Sequence, residues 1–156
     1  MPGRVMPESS LALPPQCLAV LALPEDERYL YFLREAASSE RLWGLLDPRG
    51  WVTLADPQGH AGLPVWPHPV YASACASGDW DGYLPACIEV SAFLDHWLPD
   101  MSELGVRVDV FPAAGRRGRM VPALQLELQL RERMALIGNG FIDARRAAAG
   151  TSKGPT

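Results

Sequence analysis

His68 stands between Pro67 and Pro69, with Trp66 two residues before it. Imidazole titrates near neutrality, so a His at a stiff corner suits general-base or ligand chemistry. The same side chain equally suits a helix cap or a bond to a loop carbonyl. His60, His68 and His96 are far apart, no HxH, HxxxH or HExxH pair occurs, and Cys75 and Cys87 lack the short spacing of structural zinc ligands. No metal and no other cofactor is expected. Asp79-Trp80-Asp81-Gly82 resembles the opening of a calcium loop, but the twelfth position counted from Asp79 is Val90, which has no carboxylate to close the site.

Nucleophilic chemistry has equally little support. Cys17, Cys75 and Cys87 form an odd set without CxxC spacing, which reads as free thiols in a reducing compartment. Cys75, on an apolar helix face, and Cys87, leading into a strand, read as buried and inert. Ser91 is placed to cap a helix, and no Gly-x-Ser-x-Gly elbow, Walker loop or Gly-x-Gly-x-x-Gly fingerprint occurs. Arg116, Arg117 and Arg119 have the chemistry to touch phosphate, yet no aromatic interleaves with them, so a solvated hairpin tip is the simpler reading. Fourteen Lys or Arg against eighteen Asp or Glu leave a net charge of −4, which argues against nucleic acid and anionic membrane as partners.

The remaining chemistry is aromatic. Trp43, Trp51 and Trp97 fit core patterns, whereas Trp80 lies in an acidic glycine loop with Tyr83 nearby. Flat aromatic groups in such loops serve as protein-binding anchors, or fold back over a sheet edge.

The elements that must hold these residues can be read from period and punctuation. In 156 residues, 48% hydrophobic and with 15 Pro and 14 Gly, one domain of short elements is expected rather than a helical bundle. Residues 1–15 and 138–156 are expected to be flexible tails and 16–137 a single globular domain. A short helix is expected over Cys17 to Leu23, ended by Pro24, and a longer one from Glu25-Asp26-Glu27 to about Ser38, with Tyr29, Leu33 and Ala36 on its inner stripe and Leu30 and Ala37 beside it. Asp47-Pro48-Arg49-Gly50 and Asp56-Pro57-Gln58-Gly59 are turns, predicting a three-stranded antiparallel meander over residues 42–66. Beyond it, a helix from Pro69 ends at Gly78, and a strand covers Ala86 to Val90. A helix with Phe93, Leu94, Trp97 and Leu98 inward then breaks near Pro99. Val106, Val108 and Val110 alternate with Arg107 and Asp109 as a half-buried strand, which the 113–118 turn returns. Leu124 to Leu130 alternates like a strand, but Pro122 and a run of helix formers make it helix, apolar along two ridges. The fold class is α+β, with short alternating helices and strands extending the meander into a mixed sheet.

Arg28-Tyr29 and Phe32, Leu42-Trp43-Gly44-Leu45, Pro64-Val65-Trp66-Pro67-His68 with Tyr71-Ala72, Trp80, Tyr83, Trp97-Leu98-Pro99, Val110-Phe111-Pro112 and Val121-Pro122 form a further pattern. Through these residues the stretch from about 20 to 132 resembles the bacterial domain-of-unknown-function family 2750. The resemblance implies a small bacterial cytoplasmic domain and supplies no activity or site residue.

The function expected is a non-enzymatic protein-binding or adaptor module, with toxin-immunity proteins an analogy of size and acidity. Its surface would centre on Trp66, His68, Trp80 and Tyr83. The rival is a small enzyme or small-ligand protein with a pocket around His68, Trp66 and Trp80. No segment approaches the length of a membrane span, and a cytoplasmic location is expected.

Overall fold

The computed structural model describes residues 13–153, with side chains to Asn139. The expected N-terminal tail lies mostly outside these residues. Pro15, preset for a first helical position, opens helix α1 (Pro15–Leu21), which lays Cys17, Val20 and Leu21 against the core. Helix α2 (Glu25–Ser39) has three acidic residues in its first turn and ends where Glu40 turns left-handed, its N–H bonding the Ala36 carbonyl at 2.8 Å. Tyr29, Leu33, Ala36 and Ala37 face inward as expected, joined by Arg28 and Phe32, while Leu30 points out.

Both Asp-Pro-x-Gly turns form, but the strand between them divides. Strand β1 (Arg41–Asp47) pairs antiparallel with the short β2 (Gly50–Trp51), whereas β3 (Leu54–Ala55) pairs with β4 (Ala61–Val65). Each long strand then takes a distant partner. β1 pairs antiparallel with β5 (Leu84–Glu89) from Arg41↔Glu89 to Leu46↔Leu84, and β4 runs parallel to β6 (Arg107–Val110). The result is an antiparallel sheet β2-β1-β5 and a mixed sheet β3-β4-β6-β7, with β7 at Arg119–Pro122. Two reciprocal 2.8 Å bonds between the backbones of Trp43 and Trp66 stitch the sheets together. The long ladders bury more apolar side chain than a two-residue hairpin arm offers, so they decide the order.

Helix α3 (Pro69–Ala74) stops at Cys75, before Gly78, which instead opens a 3₁₀ turn (Gly78–Trp80) at φ +60°. Helix α4 comprises Val90–Ala92, a π turn over Phe93–Trp97, and Leu98–Leu104. It begins before Ser91, which makes no cap bond, and it runs through Pro99 rather than breaking there. The π turn bonds the Leu98 N–H to the Phe93 carbonyl, which shifts the ladder by one residue just ahead of the proline that lacks a donor. Helix α5 (Ala123–Lys153) seats Leu126 and Leu130 in the core, exposes Leu124 and Leu128, and continues through the segment expected as a tail. No helix among the described residues is long and apolar enough to cross a membrane.

Candidate functional site

Trp66 closes β4 and is wholly buried, its indole N–H donating to the Pro112 carbonyl at 2.8 Å. Trp80, at the end of the 3₁₀ turn, is half-buried and meets Trp66 edge-on at 6.2 Å between centroids. Trp80 also separates two adjoining concavities, sharing both with Leu54 and Ser77. The larger, an open trough of about 660 Å³, runs along Trp51 to Leu54 to reach Asp79 and Tyr83. The smaller, of about 380 Å³, lies between Trp80 and the loop from Pro112 to Arg117, with Cys75 and Asp109 in its walls.

Asp109 was assigned by alternation to the solvent face, and the structure corrects this: it is 2% exposed. Consecutive residues of β6 point to opposite faces, and Val108, Asp109 and Val110 are all buried, so both of its faces are covered. Burial pushes the carboxyl up to about 6, against the opposing pull of Arg117, the Gly118 amide and Arg28. Its Oδ1 has no hydrogen-bond partner among the described residues.

The surrounding loop is fixed by Arg28, a residue that in the sequence stands out only through the family resemblance. Its buried guanidinium donates to the carbonyls of Phe111 at 3.0 Å, Leu23 at 2.8 Å and Arg117 at 2.9 Å. Phe111 adopts φ +59°, a left-handed conformation that turns the chain out of β6 into this loop. Gly118 packs so tightly that a Cβ there would lie 2.3 Å from the Val110 carbonyl oxygen and 2.6 Å from Asp109 Oδ1.

This core region, residues 29–130, matches the family model described as Protein of unknown function (DUF2750). The chain belongs to the DUF2750 family. No curated protein and no solved structure matches it. The DUF2750 segment contains every residue that lines the two concavities, while Arg28 lies immediately before its start.

Within the DUF2750 domain the expected site residues separate. Trp80 and Tyr83 line the trough, Trp66 supports Trp80 from beneath, and His68 lines neither concavity. His68 instead places Nε2 3.1 Å from Glu35 on α2, and it makes no side-chain cap bond to α3. Tyr83 carries the Arg49 guanidinium 5.7 Å from its ring centre.

The cysteines divide as well. Cys75 is buried, its Sγ 3.5 Å from the Pro112 carbonyl, and burial pushes the thiol up to about 11. Cys87 was expected to be buried but is exposed on β5. Among the described residues no three His, Cys, Asp or Glu side chains converge as a metal site would require. At the tip, Arg116 donates to the Leu21 carbonyl and Arg119 lies 5.2 Å over the Tyr29 ring, so two of the three arginines dock on α1 and α2. The signal that Asp109 is special was weak: a carboxylate in a valine strand, read by period alone, belongs outside.

Proposed function

We propose that this DUF2750 protein is a non-enzymatic binding module that takes a basic, partly apolar segment of a protein partner along the trough beside Trp80. The supporting observation is the composition of that trough, in which Trp51, Trp80 and Tyr83 surround an opening of about 660 Å³ with Asp79 at its rim. Aromatic faces held by a rigid scaffold bind with little loss of side-chain entropy, and an acidic rim selects for Lys or Arg. Trp66 and the Trp51–Trp97 pair, 5.1 Å between centroids, supply that rigidity. His68 is outside this surface, so recognition does not involve it.

Panning a displayed peptide library against the full chain tests the reading. Enriched peptides should combine Lys or Arg with a large apolar residue. They should lose binding to Trp80→Ala and Asp79→Asn while keeping it for His68→Ala. No enrichment, or enrichment indifferent to Trp80, overturns it.

A further inference from the structure

We infer that the smaller concavity, between Trp80 and the loop from Pro112 to Arg117, binds a free apolar α-amino acid, its ammonium group on Asp109 and its carboxylate on Arg117. The reading does not rest on the protein-partner trough: the two concavities share Leu54, Ser77 and Trp80, but neither charged residue lines the trough.

Asp109 supplies the first half of the argument. Its side chain is in the wall of the cavity, is 2% exposed, and leaves Oδ1 without a partner among the described residues. The charges of Arg117 and Arg28 and the Gly118 amide offset only part of its desolvation, so a donor brought by a ligand recovers more there than at an exposed carboxylate. Arg28 does not fill the role: the three bonds of its guanidinium go to backbone carbonyls and none reaches Oδ1.

The arginines supply the second half. Arg116 and Arg117 both line the cavity, Arg116 with its guanidinium on the Leu21 carbonyl, Arg117 with no ion pair among the described residues. A simple cation entering toward Asp109 meets two like charges, and a simple anion entering toward Arg117 meets a buried carboxylate. A molecule carrying both charges a few bonds apart satisfies both sides. Leu54, Trp80 and Pro112 leave its remaining wall apolar, which selects an apolar side chain. The volume of about 380 Å³ sits at the small end of ligand sites, roughly 300–1,000 Å³, as a compact ligand requires.

The experiment titrates the isotope-labelled full chain with each common L-amino acid at millimolar concentration, following the Gly118 amide and Trp80 indole signals. Apolar L-amino acids should shift both signals saturably. Their carboxamides, which lack the anion, and their N-acetyl derivatives, which lack the cation, should bind at least roughly tenfold more weakly. Asp109→Asn and Arg117→Gln should each cost a similar factor. Arg117 is exposed, so its variant reads binding even if Asp109→Asn fails to fold. Failure of every amino acid to shift either signal overturns the inference. So does equal binding of the blocked derivatives, or undiminished binding by Arg117→Gln or a folded Asp109→Asn.

Discussion

Trp80 stands edge-on to Trp66, the ring planes at 84° and the centroids 6.2 Å apart. One ring is wholly buried and bonded to Pro112, the other half-exposed between two concavities. Trp66→Ala should therefore destabilise the fold by about 3–5 kcal/mol, and Trp80→Ala by about 1–2 kcal/mol. Chemical denaturation of both variants checks this. Equal losses would mean that Trp80 is core, with no surface left to recognise anything.

Asp109 makes stability depend on pH in an unusual direction. Its folded-state value, about 6, lies above the ordinary 3.8, so protonation favours the folded form. That contribution is complete below about pH 4 and is lost as pH rises through about 6. Asp109→Asn should remove this slope and leave the variant more stable than the parent above pH 7, by on the order of 2 kcal/mol. Urea unfolding of both proteins at pH 5 and pH 7.5, buffers chosen about a unit either side of about 6, measures the difference. Asp47, whose carboxyl Arg49 holds below the ordinary range, is ionised throughout this window and leaves the comparison untouched. A variant that stays parallel to the parent would refute the burial of Asp109.

Glycine is required at Gly118 for space and at Gly50 for conformation. A Cβ at Gly118 would lie 2.3 Å from the Val110 carbonyl oxygen, a backbone atom that cannot yield without moving β6. Gly118→Ala should cost more than about 3 kcal/mol or abolish folding. Gly50 has φ +135° and nothing within 4 Å of the position its Cβ would take, so Gly50→Val should cost only about 1–2 kcal/mol through backbone strain. Thermal melts of the two variants rank these effects.

Thiol chemistry should follow burial. Cys87 is exposed and should react with a thiol reagent at neutral pH within the dead time of manual mixing. Cys75 should remain unlabelled until the protein unfolds, because it is buried and its thiolate is disfavoured by desolvation. Mass spectrometry of peptides from briefly labelled protein distinguishes the sites. Early modification of Cys75 would contradict the packing against Pro112.

What short-range forces decide is legible in the order of the residues alone. The two Asp-Pro-x-Gly turns form because Pro and Gly preset the torsions within four residues. The Glu25 helix forms because its acidic first turn and apolar stripe agree, and Leu126 and Leu130 lie on one helical face whatever packs on them. The fold class followed from these elements. Tertiary structure decided whatever depended on partners far along the chain. Gly50–Trp51 stays on β1 and Leu54–Ala55 on β4, while β5 and β6, arriving later in sequence, take the other edges of those two strands and draw them into separate sheets. His68 lies beside Glu35, 33 residues away, and lines neither concavity, a placement that no local pattern encodes. Asp109 became the buried charge of the smaller concavity because its strand is covered on both faces, a condition that alternation along one strand does not encode.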